Sequence, residues 1–217
     1  MNFEQARQNM IKQQLRPCEV VDPRILGLIE DIHREDFIPE QYVHLALCDT
    51  RIPLLHGQCT MTPMVEGRII QNLDIQDHEK ILEIGTGCGY LTALLAKSGK
   101  NVHSVDIFPD FIEQATPKFR KYGLDNIHLH KGDAVKGWPE QGPYDVIVVT
   151  GSVPVLETFF QQQLTVNGRL FVIVGSPPAM EARLITRKNN DEWISTCLFE
   201  TEIPPLVGAP QPEAFHF

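Results

Sequence analysis

The sequence has no long apolar run. No stretch approaches the roughly 20 consecutive apolar residues that a membrane-spanning helix needs. The first residues follow an amphipathic pattern and lack the apolar core of a signal peptide. We therefore expect a soluble protein that makes no membrane contact.

Cysteine is scarce and shows no pairing pattern. The five cysteines are odd in number and widely spaced, and no C-x-x-C pair occurs. Disulfide frameworks and zinc sites are typically built from even or closely spaced sets of cysteine. The sequence therefore predicts reduced thiols, no metal site and a cytoplasmic location, because the cytosol keeps thiols reduced.

Basic residues are also few. The chain has 19 Lys and Arg against 28 Asp and Glu, which gives a net charge of -9. A surface that binds nucleic acid must neutralise phosphates with positive charge. This charge balance predicts no nucleic-acid partner.

The length and composition predict one domain with a sizeable core, because the chain has 217 residues and 42% of them are hydrophobic.

Apolar runs alternate with helical patterns through the middle of the chain. Helices are predicted at 3–16 and from Pro23, where Asp22 is an N-cap candidate. Predicted strands at 80–84, 101–105, 126–130, 144–149 and 168–174 alternate with predicted helices at 89–98, 109–122 and 153–163. This alternation predicts an α/β fold with a doubly wound, mostly parallel sheet, preceded by an N-terminal helical segment.

The last part of the chain follows a different pattern. Two extended runs within 182–200 flank Asn189-Asn190-Asp191, which predicts an antiparallel hairpin at the end of the sheet. Four prolines follow Ile203 and make a helix there unfavourable. We expect this tail to be extended, on the surface or over a site.

A glycine turn joins the first predicted strand to the following helix. It reads Gly85-Thr86-Gly87-Cys88-Gly89, whereas a dinucleotide site has the spacing G-x-G-x-x-G. Glu83 precedes the turn, where a carboxylate would repel a pyrophosphate and attract a cationic ligand. S-adenosylmethionine carries a sulfonium and an ammonium group. The turn therefore predicts an S-adenosylmethionine site, with S-adenosylhomocysteine as product, and disfavours an NAD-linked dehydrogenase.

Two further acids follow the next two predicted strands. Asp106 closes the strand at 101–105, where a ribose diol lies in doubly wound folds, and Asp133 follows the strand at 126–130, where it can accept from an adenine amino group. Either acid alone is equally typical of a cap or turn, and Glu83 is also compatible with a structural role. The predicted cofactor-binding residues are Glu83, Gly85, Thr86, Gly87, Gly89, Asp106, Ile107, Asp133 and Ala134.

Sequence blocks along almost the whole chain resemble the protein-L-isoaspartate O-methyltransferase family. The blocks lie at 14–16, 21–26, 33–39, 82–90, 144–150 and 163–170. The resemblance implies methyl transfer from S-adenosylmethionine to the carboxylate that is freed when an aspartyl or asparaginyl residue isomerises. It also implies that damaged proteins or peptides carrying isoaspartyl residues are the partners.

The chain departs from the family at the acceptor segment. The family has Thr-Ile-Ser-x-Pro, and this chain has Met61 at the serine position, with Thr60 and Thr62 beside it and Pro63 following. Methionine cannot donate a hydrogen bond. Because the acceptor carboxylate is already ionised at neutral pH, the loss affects its positioning and not its activation. Thr62 is the expected N-cap of the next helix, so we expect Thr60 to supply the missing donor.

A second departure lies in the tail, and both departures leave alternatives open. The family's Phe-Val-Pro-Leu is replaced by Ile203-Pro204-Pro205-Leu206, and Pro204 has no backbone N–H. The chain is therefore compatible with a methyltransferase for another acceptor, or with a weakly catalytic protein that binds S-adenosylmethionine.

The sequence makes no statement on oligomeric state. It predicts a single methyltransferase domain at 1–217, with a helical and acceptor segment at 1–75, a cofactor core at 76–180 and a hairpin and tail at 181–217.

If Thr60 supplies the donor, Thr60→Ala lowers turnover by about 100-fold, the effect typical of losing one positioned hydrogen-bond donor. Turnover is measured as methyl ester formed on an isoaspartyl peptide. Thr60→Ser keeps the hydroxyl and serves as the control. Unchanged turnover in Thr60→Ala would show that the hydroxyl has no such role.

Overall fold

The computed structural model describes residues 2–212, and a seven-stranded sheet forms its centre. The strands are β1 (Lys80–Ile84), β2 (Asn101–Asp106), β3 (Ile127–Lys131), β4 (Tyr144–Val153), β5 (Leu164–Ser176), β6 (Ala179–Arg187) and β7 (Trp193–Glu200). Their order is β3-β2-β1-β4-β5-β6-β7. The first five strands are parallel, and β6 and β7 add antiparallel. The predicted mostly parallel sheet with a C-terminal antiparallel hairpin is confirmed. Residues 1 and 213–217, to which the predicted bounds 1–217 and 181–217 extend, lie outside the described residues.

The described helices are short and lie mainly on one face of the sheet. They are α1 (Phe3–Met10), α2 (Pro23–Asp31), α3 (Pro63–Leu73), α4 (Tyr90–Ser98), α5 (Pro109–Lys121) and α6 (Phe159–Gln162). Side chains from α1 to α5 share one core cluster with one face of the sheet, and α6 packs with the other face. None of the helices within residues 2–212 is long and apolar enough to cross a membrane.

Strand β1 illustrates why the parallel strands are mainly apolar. Ile81 packs into the core on the side of α1 to α5, and its neighbour Leu82 packs into the core on the opposite side. Successive side chains of a strand point to opposite faces, so a strand covered on both faces buries both sets of side chains. Ile81 and Leu82 are completely buried, and so is Glu83, the one acidic residue of β1.

Helix starts follow the local sequence signals. Asp22 caps α2 by accepting a hydrogen bond from the backbone N–H of Arg24, and Pro23 occupies the first helical position. The predicted helix at 3–16 is divided, because α1 is followed by a wider helical turn at Ile11–Leu15 and a tighter one at Arg16–Cys18. The chain then leaves the helical path at Glu19, which has a φ of 68°.

The predicted helix at 153–163 is wrong. Strand β4 continues to Val153, and only Phe159–Gln162 is helical. The cause lies in the tail, because the N–H of Ser152 donates to the carbonyl of Pro204 at 3.0 Å and the N–H of Leu206 donates to the carbonyl of Ser152 at 2.9 Å. This pairing extends the strand beyond the segment that local propensity indicates.

A buried ion pair joins the N-terminal helices to the acceptor segment. The guanidinium of Arg34 donates to Glu66 on α3 at 2.8 Å, and the two side chains are 1% and 4% exposed. The same guanidinium donates to the carbonyls of Ala46 at 2.7 Å and Met61 at 2.8 Å. Arg34 therefore holds three separate segments of the chain together.

We expect Glu66→Gln to lower the free energy of unfolding by about 3–5 kcal/mol, because it leaves the buried Arg34 without its counter-charge. The measurement is urea unfolding at neutral pH. Glu181→Gln, which removes a carboxylate from an exposed pair with Arg183, is the control and should change the free energy by less than about 1 kcal/mol. Similar losses of free energy of unfolding in the two variants would show that the buried pair contributes no more to stability than the exposed pair.

Candidate functional site

A cleft opens at the carboxyl ends of β1, β2 and β4. The strand order changes direction between β1 and β4, and ligands of open α/β sheets bind in the crevice at such a point. The cleft encloses about 700 Å³, part of it open to solvent. Six of the nine predicted cofactor-binding residues line it, namely Gly85, Gly87, Asp106, Ile107, Asp133 and Ala134.

The three glycines of the turn have different roles. All have positive φ, at 97° for Gly85, 52° for Gly87 and 88° for Gly89. A Cβ on Gly85 would lie 2.2 Å from the hydroxyl of Thr150 on β4, and one on Gly89 would lie 2.9 Å from the ring of Phe119 on α5. Gly85 and Gly87 line the cleft, whereas Gly89 allows α4 to approach α5 and lies outside the lining.

Asp106 fixes the glycine turn to the end of β2. Its carboxylate is 6% exposed and accepts hydrogen bonds from the backbone N–H groups of Gly87 at 3.0 Å and Phe108 at 2.9 Å. Burial raises the pKa of Asp106, although these hydrogen bonds oppose the shift. Each oxygen accepts one of these bonds and has capacity for another, so the carboxylate can also accept from a hydroxyl in the cleft.

Asp133 and Ala134 form the far wall of the cleft. Asp133 is exposed and accepts from the N–H of Val135 at 3.0 Å, so it serves as a turn residue as well as a wall residue. Ala134 is 5% exposed. Ile107 is 37% exposed and lines the same cleft, so apolar surface is available there beside the two carboxylates.

Glu83 lies beneath the turn and is completely buried. One carboxylate oxygen accepts from the hydroxyls of Ser104 at 2.6 Å and Thr92 at 2.5 Å, while the other has no hydrogen-bond partner among the described residues. Burial raises the pKa of Glu83 to about 8. Thr86 joins this cluster through a 2.7 Å contact with Ser104. Glu83 thus connects α4 to β2 through these hydroxyls, and it also borders the recess described next.

A smaller recess continues the cleft inward. It encloses about 360 Å³, part of it open to solvent, and its lining includes Thr60, Met61, Glu83 and Thr86, while Gly85 and Thr150 are among the residues that line both recess and cleft. The structure therefore places Thr60 and Met61, two of the three predicted acceptor residues, next to the predicted cofactor residues. Of the three predicted cofactor residues that do not line the cleft, Glu83 and Thr86 line this recess and Gly89 lines neither cavity.

The three predicted acceptor residues differ in their contacts. The hydroxyl oxygen of Thr60 accepts from the N–H of Ile52 at 3.0 Å and from Arg34 at 3.3 Å. Met61 is 6% exposed. Thr62 caps α3 by accepting from the N–H of Val65 at 3.4 Å, as its sequence position predicts.

Some contacts around the cleft have little or no sequence signal. Beside the cleft, His56 contacts Asp110 at 2.9 Å, and its ring stacks on the lining residue Phe108 at a centroid distance of 4.1 Å. These contacts connect the loop before the acceptor segment to the start of α5. No spacing in the sequence indicates this contact. Thr150 differs, because a polar residue at the carboxyl end of an apolar strand is a recognisable position in this fold.

The tail forms another wall of the cleft. Residues 203–207 line it, held by the backbone pairing with Ser152. The side-chain hydroxyl of Ser152 also donates to the carbonyl of Ile203 at 3.1 Å. A Cβ on Gly151 would lie 2.9 Å from the side chain of Leu206, so the glycine allows the tail to lie close to β4.

The sheet order and the glycine turn at its carboxyl edge define a methyltransferase of the α/β class. A family model described as protein-L-isoaspartate(D-aspartate) O-methyltransferase matches residues 5–211. This chain belongs to that family. It is 36% identical over 208 residues to a protein-L-isoaspartate O-methyltransferase of Brucella anthropi, covering 95% of each chain. It is 32% identical over 221 residues to protein-L-isoaspartate O-methyltransferase 1 of Rhodopseudomonas palustris, covering 98% of this chain and 90% of the relative.

A solved structure supports the fold. The crystal structure of a protein-L-isoaspartate O-methyltransferase of Plasmodium falciparum, in complex with S-adenosyl-L-homocysteine, superposes with a TM-score of 0.79 at 19% sequence identity. It covers 95% of this chain and 98% of its own. The similarity confirms the methyltransferase fold that the sequence predicts.

The raised pKa of Glu83 predicts how stability depends on pH. Between pH 4.5, the ordinary value, and about 8, the native state holds a proton that the unfolded chain has lost, so stability falls as pH rises through this window. Glu83→Gln carries no such proton. We expect the stability of wild type relative to Glu83→Gln to decline between pH 5 and pH 8, as measured by urea unfolding.

The control for this measurement is Glu200→Gln, at an exposed carboxylate on β7. Its stability relative to wild type should stay constant over the same pH range. If the difference in free energy of unfolding between wild type and Glu83→Gln also stays constant over this pH range, Glu83 is ionised in the native state.

Proposed function

We propose that this protein transfers a methyl group from S-adenosylmethionine to the carboxylate of isoaspartyl residues in damaged proteins. The observation that carries the proposal is the continuity of two cavities. The cleft under the glycine turn and the recess at Thr60 and Met61 share walls, so a donor held by the turn lies next to the acceptor segment. Family membership over residues 5–211 supplies the reaction type.

The residues of the cleft fit S-adenosylmethionine in chemistry. The buried carboxylate of Asp106 suits the ribose hydroxyls, and Ile107 and Ala134 offer apolar contacts to the adenine ring. Gly85 and Gly87 let a ligand approach the backbone. When bound, S-adenosylmethionine supplies the electrophilic methyl group and leaves as S-adenosylhomocysteine.

We assign Asp133 and Glu83 to the polar ends of the cofactor. Asp133 is placed to accept from the adenine amino group, because it stands at the wall beside Ala134. Glu83, one oxygen of which has no hydrogen-bond partner among the described residues, borders the recess, where the ammonium group of the cofactor would favour the ionised form of this carboxyl group. Thr86 supports Glu83 through Ser104, so its role is to position other residues.

The acceptor needs orientation and not activation. A free carboxylate is ionised at neutral pH, so no general base is required, and the protein must hold one oxygen in line with the methyl group away from water. Thr60 is the proposed donor. The hydroxyl oxygen of Thr60 already accepts two hydrogen bonds, from Ile52 and Arg34. Its O–H group therefore points away from these two donors. Met61 contributes an apolar wall, and Thr62 fixes the segment as the cap of α3.

A methyltransferase of the same framework with another acceptor is the second candidate. Met61 and Pro204, which replace hydrogen-bonding groups of the family pattern, are the observations that favour it. Met61 lines the recess, and Pro204 lines the cleft itself. This candidate keeps the same cofactor and the same transfer to an oxygen or nitrogen nucleophile, and differs only in the molecule that is bound.

The proposal also covers partners and location. The substrates are proteins or peptides with isoaspartyl residues, and nucleic acid stays a disfavoured partner at a net charge of -9. All five cysteines are free in the structure, which supports a cytoplasmic location. We propose that residues 1–217 act as one methyltransferase domain, because β6 and β7 continue the same sheet and the N-terminal helices share its core.

The test incubates the pure protein with radiolabelled S-adenosylmethionine and matched aspartyl and isoaspartyl peptides. We expect base-labile methyl ester on the isoaspartyl peptide alone. Asp106→Asn is the control, because its side chain has the same shape but lacks the negative charge that accepts hydrogen bonds from the ribose hydroxyls. It should bind S-adenosylhomocysteine about tenfold more weakly, as expected for the loss of a charged hydrogen bond.

Two results would contradict the proposal in different ways. Tight binding of S-adenosylhomocysteine with no ester on either peptide would exclude the isoaspartyl acceptor and favour the second candidate. Equal affinity of wild type and Asp106→Asn for S-adenosylhomocysteine would show that Asp106 does not contact the ribose.

A further inference from the structure

A short hairpin that leads into the acceptor segment forms one wall of the cofactor cleft. The N–H of Thr60 donates to the carbonyl of Ile52 at 2.9 Å, and closer to the turn the N–H of Leu54 donates to the carbonyl of Gln58 at 2.8 Å. We call residues 52–60 the acceptor hairpin. Leu54 and Gln58 line the cleft. A Cβ on Gly87 would lie 3.7 Å from the side chain of Leu54, so the hairpin lies over the glycine turn.

The tip of the acceptor hairpin reaches the start of α5 through His56. Nε2 of His56 lies 2.9 Å from a carboxylate oxygen of Asp110, and the imidazole stacks on the ring of Phe108 with an angle of 5° between the planes. The imidazole is also perpendicular to the ring of Phe111, with the centroids 5.8 Å apart. Phe108 and Phe111 line the cofactor cleft. His56 therefore joins two walls of the cleft that are far apart in the sequence.

The backbone of the turn does not require a histidine. His56 has a φ of 56°, in the left-handed region that residues other than glycine seldom adopt, and Gly57 follows with a φ of 69°. A glycine at position 56 would suit this conformation better. A side chain that is kept in an unfavourable backbone conformation indicates a function for that side chain. The contacts with Asp110 and Phe108 are what the imidazole contributes.

Two carboxylates interact with the charge of His56. Asp110 stands in the first turn of α5, and Asp106 ends β2. Burial raises the pKa of Asp106, while its hydrogen bonds from backbone N–H groups and the charge of protonated His56 oppose that shift. A protonated imidazole therefore pairs with Asp110 and also favours the ionised form of Asp106, the proposed acceptor for the ribose hydroxyls.

We propose that His56 is a positioning residue that holds the acceptor hairpin over the bound cofactor, and that the positive charge of its imidazole strengthens this hold through Asp110 and Asp106. The inference rests on the proposed function, because the ligand in the cleft is taken to be the methyl donor. His56 lines neither the cleft nor the recess, so it acts through the residues that do. Thr60, the proposed donor to the acceptor, is carried by the same hairpin.

The first measurement is the affinity for S-adenosylhomocysteine at pH 6 and pH 8.5, by isothermal titration calorimetry. His56→Phe keeps a ring that can stack on Phe108 but loses the contact with Asp110. We expect it to bind about threefold more weakly than wild type at pH 6, the effect typical of a partly exposed ion pair. At pH 8.5, where histidine side chains are ordinarily neutral, the two proteins should bind nearly alike. S-adenosylhomocysteine has no sulfonium charge, so repulsion between His56 and a sulfonium does not enter.

The ratio of the two affinities isolates the contribution of His56, because Asp106 and Glu83 are present in both proteins. His78→Gln is the matched control. His78 is exposed and precedes β1 at the amino edge of the sheet, whereas the cleft lies at the carboxyl edge. The affinity of His78→Gln relative to wild type should be the same at both pH values.

The second measurement is a double-mutant cycle at pH 6. Asp110→Asn removes the partner carboxylate and should weaken binding of S-adenosylhomocysteine by about the same threefold factor. Because both substitutions break one contact, the variant with both changes should bind no more weakly than either single variant.

Steady-state kinetics distinguish positioning from a purely structural role. His56→Ala loses both the charge and the stacked ring, so we expect KM for S-adenosylmethionine to rise about tenfold with a smaller change in kcat. The dissociation rate of S-adenosylhomocysteine, measured by stopped flow, should rise by a similar factor, because the hairpin opens more readily.

Three outcomes separate this inference from the proposed function. A ratio of wild type to His56→Phe affinities that is the same at pH 6 and pH 8.5, or additive losses in the double variant, would overturn the inference. Absence of methyl ester on an isoaspartyl peptide, with the pH-dependent ratio present, contradicts only the proposed acceptor. Absence of S-adenosylhomocysteine binding by wild type contradicts both.

Discussion

The buried guanidinium of Arg34 is the interaction on which the acceptor half of the molecule depends. It neutralises Glu66 on α3 and binds main-chain carbonyls at Ala46 and Met61, so one charged group fixes the position of three segments. A buried ion pair contributes little net stability but is costly to break. Its main effect is therefore geometric. The segments that carry Ile52 and Thr60 are thereby held in a fixed position.

The cofactor half depends on shorter-range constraints. Asp106 and Thr150 stand on β2 and β4, the two strands that flank β1, and contact the glycine turn from two sides, one through the N–H of Gly87 and the other at the carbonyl of Gly85. These contacts belong to a sheet that is buried on both faces, so the packed core fixes the position of the turn. The acceptor segment is held by the charge network of Arg34 and Glu66 instead.

The sequence predicts the parts of the structure that depend on local patterns. Strands covered on both faces are mainly apolar, and Asp22 and Thr62 stand where helix caps stand. The helix at 153–163 was wrong because Ser152 pairs with residues more than 50 positions later in the chain. The burial of Arg34 is not predicted either, since a charged residue is expected at the surface. The contact between Thr60 and Ile52 requires a register, which two short segments without alternating hydrophobicity do not reveal.

The pairing of Ser152 with the tail joins parts of the cleft that are far apart in the sequence. The glycine turn and Asp106 precede β4 in the chain, whereas the wall at residues 203–207 follows β7. This wall is held by the backbone pairs of Ser152 with Pro204 and Leu206. The complete cleft therefore exists only when these pairs are formed.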